Sequence, residues 1–245
     1  GPPEASEGEG PSEAEGGCEM TPLYNGLGYV DLVSSSGTDA GIVAAARMST
    51  DGAFRGWGTD DKPGAEKLLR YLWKHGHHSP FEMTHVALEI QAPIFVARQI
   101  FRHRLFSFNE LSARYTHLPD SAWLPAAEEV RLQNVTGNKQ GSEPTSTLNG
   151  DHFIAKVEES YRQSFRVYEE LCAAGYAREQ ARTVMPLGTM TRWRQGGNLR
   201  CWLDFLSKRL PANAQTETRQ VATACAGMIE PLFPRTFALF QEGVR

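Results

Sequence analysis

Between Thr84 and His103 the apolar period changes at a single residue, and that change sets the fold class. In THVALEIQA (Thr84–Ala92), Val86, Leu88 and Ile90 alternate with Ala87, Glu89 and Gln91. A period of two predicts a strand with one buried face. Pro93 fixes φ and removes an amide donor, which suits the first turn of a helix. The residues that follow, IFVARQIFRHR, predict a helix running toward His103. A strand that feeds directly into a helix calls for a sheet with helices packed on it. The expected class is therefore α/β (α+β), a sheet flanked by helices.

The rest of the chain fits that frame. YVDLV, from Tyr29, predicts a strand. Asp39–Met48 predicts a helix with Ile42, Val43 and Ala46 on one face. Asp60–Lys74 predicts another, opened by an Asp pair and Pro63, striped by Leu68, Leu69, Leu72 and Trp73, and followed by Gly76. Asp151–Ala174 carries the longest helical stripe: Phe153, Val157, Tyr161, Phe165, Tyr168 and Leu171, with Gly175 behind it. Further helices are expected over Arg178–Val184, Asn198–Arg209 and Asn213–Ile229, punctuated by Pro186, Pro211 and Pro231. Residues 1–28, rich at their start in Gly, Pro, Ser and Glu, read as a disordered tail. Residues 29–245 read as one folded domain, with a flexible polar loop at about 134–150.

Composition narrows the function. The 245 residues carry a formal net charge of −4, which gives no reason to expect nucleic acid or a membrane surface as partner. Apolar runs such as Ile94–Ala97 are too short to span a bilayer, and the first residues lack the apolar core of a secretory signal. Cys18, Cys172, Cys201 and Cys225 show no C-x-x-C spacing, which fits a reduced, cytoplasmic chain. His75, His77 and His78 have no Cys or fourth ligand at zinc spacing, so no metal is expected.

Against this acidic background, FRHRLFSFNELSARY (Phe101–Tyr115) concentrates positive charge. Arg98 and Arg102 share a helix face one turn apart, Arg104 lies just beyond, and Arg114 returns after a loop. Guanidinium forks hold phosphates bidentately, and Ser107 or Ser112 can add hydroxyl donors. The plainer alternative is a solvated basic face with Glu110 as an exposed partner. Phe101, Phe106 and Phe108 argue against full exposure.

The segment also resembles a known family. Arg102-His103-Arg104, seven intervening residues and Ser112 match the RHR-x7-S signature of the flavin-dependent thymidylate synthases. HGHHSPFE (His75–Glu82), APIFVARQIFRHR, AREQARTVMPL (Ala177–Leu187) and NLRCWLDFLSKR (Asn198–Arg209) resemble further blocks of the family. The resemblance runs from about Tyr29 to Phe240. It implies a catalytic domain that transfers a methylene from methylenetetrahydrofolate to C5 of dUMP and reduces it to methyl. FAD is the implied redox carrier, and NADPH the implied reductant. It also implies a homotetramer with active sites where subunits meet.

The resemblance assigns residues by matched position. Arg102, His103 and Arg104 are expected at FAD and the edge of the nucleotide site. His77, Ser79 and Glu82 match the flavin-contacting loop, and Asn198, Arg200, Asp204 and Asn213 match flavin-side positions. Gln99, Glu110, Ser112, Arg114 and Arg182 match the nucleotide pocket, with Ser112, Arg114 and Arg182 on the phosphate. Arg209 matches the arginine beside the uracil. A fixed cation there stabilises the enolate-like ring formed at C5. Arg102, Arg209 and Ser112 are the expected catalytic set. A homologue that binds flavin and nucleotide without turnover is the alternative.

One block departs from the family. Where the pattern reads R-x-D-x-H-A-Q-[WY]-E-I-R, this chain reads RLPANAQTETR. Asn213 replaces a histidine, Thr216 an aromatic and Thr218 an aliphatic, and Asp204 stands where Asn or His is common. Some relatives methylate UMP in polyoxin-type nucleoside antibiotic pathways. Small polar replacements are the kind of change that a ribose 2′-hydroxyl calls for, so UMP is the rival acceptor to dUMP.

Overall fold

The computed structural model describes residues 20–50, 53–58, 64–137 and 141–243. Its sheet has five strands in the order β1-β2-β3-β7-β4: β1 (Thr21–Leu23), β2 (Gly28–Ser36), β3 (His85–Pro93), β7 (Met190–Gly197) and β4 (Ser107–Glu110). All neighbouring pairs are antiparallel. A separate hairpin pairs β5 (Arg131–Gln133) with β6 (Ser142–Pro144). The helices are α1 (Asp39–Arg47), α2 (Ala65–Lys74), α3 (Ile94–Ile100), α4 (Gly150–Ala173), α5 (Arg178–Ala181), α6 (Leu199–Arg209), α7 (Thr216–Ile229) and α8 (Pro234–Gly243).

The switch at Pro93 stands as expected, with β3 ending on it and α3 beginning at Ile94. One face of β3 and β7 is buried. Val86, Leu88, Ile90 and Trp193 are at most 1% exposed and meet α3, α6 and α7. The other face carries an ionic ladder in which Glu89 accepts from Tyr29 Oη at 2.7 Å and Arg194 Nε at 3.0 Å. Trp202 of α6 donates its indole N–H to Val86 O at 3.1 Å, so this buried ring is anchored as well as packed. Gly197 leaves room for the Phe106 ring, because a Cβ there would lie 2.6 Å from it.

Several expectations need correction. Ordered chain begins ahead of Tyr29: Thr21 to Leu23 pair with β2, and Tyr24 is buried with its hydroxyl donating to Glu217 O at 2.7 Å. Residues 1–19 of the expected tail lie outside the described residues. The loop expected over 134–150 contains strand β6, which pairs with β5 ahead of it, while residues 138–140 lie outside the described residues. The second helix begins at Ala65 rather than Asp60, and residues 59–63 also lie outside the described set. The helix expected from Asn213 begins at Thr216.

Helix α8 is fastened by a residue far away in sequence. Asp39, 5% exposed, accepts from Arg235 N at 2.8 Å, Thr236 N at 3.1 Å and Thr236 Oγ1 at 2.5 Å. A carboxylate at a helix start satisfies donors that the helix itself leaves free. Asp39→Ala is expected to lower unfolding free energy by about 2–3 kcal/mol in urea denaturation, and Asp39→Asn by less, because it keeps an acceptor.

Candidate active site

The antiparallel pair β3–β7 sends a helix off each end. Pro93, opposite Met190, opens α3; Gly197, opposite Val86, precedes α6. The two helices run back and meet near their C-termini. There a cavity of about 610 Å³ is lined by Arg102, His103, Arg104, Asp204, Lys208 and Arg209, with Leu105 and Phe106 supplying apolar wall.

Arg209 is held by two acceptors. Its Nε donates to His103 Nε2 at 3.0 Å, and its Nη2 donates to Gln99 O at 3.2 Å. An imidazole that accepts at Nε2 carries its proton on Nδ1. His103 also meets Phe205 edge-on, with ring centroids 5.1 Å apart. Burial, then the charges of Arg209 and Lys208, pull the His103 pKa down from 6.5 to about 4. The ring is therefore neutral at pH 7. Burial also pulls Arg209 below its usual value.

The other expected residues divide into groups. Arg200 and Glu82 form an ion pair and are not among the residues that line the cavity. Asp204 pairs with Lys208 at 2.7 Å, not with Arg200. Asn198 caps α6 by accepting from Cys201 N at 3.0 Å, which gives it a structural task. His77 and Ser79 line a different depression with Met48, Tyr71 and Met83. Asn213 is exposed on a cleft beneath the β5–β6 hairpin, outside the Arg209 cavity.

Glu110, Ser112, Arg114 and Arg182 lie elsewhere. Glu110 accepts from Thr191 Oγ1 at 2.8 Å. Ala113 and Ala181 share a small core with Tyr168 and Leu118, which brings Ser112 and Arg114 toward Arg182. Arg114 pairs with Glu179 at 3.1 Å, and Ser112 Oγ accepts from Arg114 N at 3.3 Å. Among the described residues no hydrogen bond or ion pair joins this group to the Arg209 cavity.

Sequence reasoning overlooked Lys208 and Gln215, and although it singled out Thr218 it did not foresee that Thr218 and Gln215 bond the Gln99 side chain. For Lys208 the signal was present, since it stands one turn after Asp204. The partners of Gln99 depend on how α3 and α7 cross, which no local spacing reveals. Among the described residues no cluster of His, Cys, Asp or Glu is placed to hold a metal ion, and no helix is long and apolar enough to cross a membrane.

Comparison with known proteins adds identity to this geometry. A family model described as thymidylate synthase complementing protein matches residues 31–235. The flavin-dependent thymidylate synthase of Thermosipho africanus (strain TCF52B) is 37% identical over 213 residues, covering 87% of this chain and 90% of that protein. That of Thermus thermophilus is 38% identical over 215 residues, covering 88% and 76%. The crystal structure of the UMP/dUMP methylase PolB from Streptomyces cacaoi bound with 5-Br dUMP aligns with a TM-score of 0.78 at 32% identity, covering 88% of this chain and 95% of that one. Its structure bound with 5-Br UMP gives a TM-score of 0.77 at 31% identity, covering 87% and 93%.

The depressed pKa of His103 makes a signed prediction. Its contribution to stability is complete above pH 6.5 and is lost as pH falls from there toward about 4, where the folded-state ring takes up its proton. Ring-proton NMR should show one histidine titrating near 4 that disappears in His103→Gln. A wild-type spectrum in which every histidine titrates near 6.5 contradicts the burial of His103 beside Arg209.

Proposed function

The chain belongs to the family of thymidylate synthase complementing proteins, the flavin-dependent thymidylate synthases, and we propose from that premise that it methylates C5 of a uracil nucleotide. Methylenetetrahydrofolate supplies the carbon, and NADPH supplies electrons through FAD. The observation that carries this reading is the convergence of Arg102, His103, Arg104 and Arg209 on one cavity, with His103 neutral.

The cavity suits a flavin dinucleotide. Arg102 and Arg104 offer guanidinium donors to a pyrophosphate, and Leu105 and Phe106 offer apolar surface to a ring system. His77, Ser79, Glu82, Asn198, Arg200, Asp204 and Asn213 are the remaining flavin-side candidates. When bound, the flavin carries the reducing electrons that turn methylene into methyl. The protein's share is to orient and polarise. Arg209, with Nε and Nη2 already bonded, keeps Nη1 for a uracil carbonyl. A partly desolvated cation there stabilises negative charge on a carbonyl oxygen of the enolate-like ring, the form in which C5 is nucleophilic, and that charge is discharged as C5 bonds to carbon. His103 accepts from Arg209 without adding charge, so the guanidinium remains the cation that faces the ring.

Glu110, Ser112, Arg114 and Arg182 bind the nucleotide and its phosphate from a second copy, in a homotetramer. The separate placement of the two cationic groups in one chain supports that arrangement. Free thiols at Cys172, Cys201 and Cys225 support the cytoplasm as its compartment. Both dUMP and UMP are acceptors to test, because PolB has been crystallised with analogues of each.

Tritium release from C5-labelled dUMP and UMP, with FAD, NADPH and methylenetetrahydrofolate present, is the direct assay. Release from either is expected; silence from both leaves the non-catalytic alternative. Arg182→Ala should raise nucleotide KM by about tenfold or more while flavin content holds. Arg102→Ala should lose flavin during purification, and full retention contradicts its assignment.

A further inference from the structure

Helix α7 holds the Gln99 side chain at both ends of its amide. Gln99 Nε2 donates to Gln215 Oε1. Gln99 Oε1 accepts from Thr218 Oγ1 at 3.2 Å. Gln215 immediately precedes α7, and Thr218 lies in its first turn. Thr218 is 0% exposed. A hydroxyl at that depth requires a partner, and the Gln99 amide oxygen serves. The main chain of the same residue accepts Arg209 Nη2 at 3.2 Å. Gln99 therefore connects α7, through its side chain, to the uracil-facing arginine, through its carbonyl.

The donor inventory decides what Gln99 can still offer. A carboxamide has an acceptor oxygen and a nitrogen with two N–H donors. With the oxygen on Thr218 and one N–H on Gln215, one N–H remains for a ligand. An aliphatic side chain at 218 would neither donate nor accept. The amide oxygen then has no partner on α7, and both flips of the amide become accessible. The hydroxyl at 218 selects one of them.

We infer that Thr218 is a positioning residue for the uracil nucleotide: its hydroxyl holds the Gln99 amide with an N–H directed to an oxygen acceptor of the nucleotide. This rests on the nucleotide reading of the Arg209 cavity. The acceptor is a ring carbonyl or a ribose hydroxyl oxygen, and comparison of UMP with dUMP separates the two.

The test uses the flavin-loaded full chain, with calorimetric titration of UMP and dUMP alongside steady-state kinetics. Thr218→Val preserves shape and removes the hydroxyl. It should weaken nucleotide binding by about tenfold, the scale of one hydrogen bond. Nucleotide KM should rise more than kcat falls, with flavin content unchanged. Thr218→Ser should restore affinity to within about twofold of wild type, since it keeps the donor. A larger penalty for UMP than for dUMP assigns the contact to the 2′-hydroxyl; equal penalties assign it to a group that both nucleotides share. Should Thr218→Val also lower Tm, the pair Gln99→Leu and Gln99→Leu/Thr218→Val decides. A hydroxyl that acts through Gln99 has no further effect once Gln99 is gone. Unchanged binding in Thr218→Val, failure of Thr218→Ser to rescue, or a full additive loss in the double variant overturns the inference. A wild-type chain that binds neither nucleotide overturns the nucleotide reading itself, and the positioning role with it.

Discussion

The Arg209–His103 bond closes a loop of structure that begins in the sheet. Strands β3 and β7 are antiparallel, so the helices that follow them leave from opposite ends. At 1.5 Å per residue, the 7 residues of α3 and the 11 of α6 span about 10 and 16 Å. The strand pair they retrace, Val86↔Gly197 to Pro93↔Met190, is about 27 Å long at 3.4 Å per residue. The lengths agree, and the helix ends meet. Each brings a helix C-terminus with its partial negative charge and free carbonyls, Gln99 O among them. That explains how a chain of net charge −4 tolerates Arg102, Arg104, Lys208 and Arg209 in one place.

Local pattern was enough where one face alone decides burial. The expected Asp151–Ala174 helix runs from Gly150 to Ala173, and the expected Thr84–Ala92 strand from His85 to Pro93. Strand β7 escaped notice, although its residues alternate. Thr191, Trp193 and Gln195 point inward and are buried, while Arg192 and Arg194 point outward. Two of those three inward residues are polar, so hydropathy hides the period. Gln195 accepts from Trp193 Nε1 at 3.3 Å inside the core, a pairing that only the folded strand supplies. Helix α8 was missed because Pro231 read as an end, whereas Pro234 is the first residue of a new helix with Phe237, Leu239 and Phe240 buried.

The candidate site was legible as a motif and much less so as geometry. RHR marks the cavity because all three residues line it. It does not reveal that His103 is neutral, or that Arg209, more than a hundred residues away, is its donor. Those facts depend on the crossing of two helices. Asn198 shows the opposite limit. Its place in a family block invites a ligand role, yet its side chain already serves as the cap of α6.

The cations of the candidate site sort themselves by whether they have a carboxylate partner. Arg200 has Glu82, Lys208 has Asp204 and Arg114 has Glu179. Among the described residues Arg102, Arg104, Arg182 and Arg209 have no carboxylate partner. Exposed pairs contribute little to stability, so their main effect here is to decide which cations remain available. Of these candidate-site arginines three line the Arg209 cavity, and Arg182 lies toward Ser112 through the shared core of Ala113 and Ala181. A flavin pyrophosphate and a nucleotide phosphate are two anions that need separate cationic seats. The replacements at the start of α7 fit the same division. Thr216 accepts from Arg131, which ties the β5–β6 hairpin to α7, and Thr218 donates to Gln99. Each makes a hydrogen bond and brings no charge, so the electrostatics of the cavity stay those of its arginines.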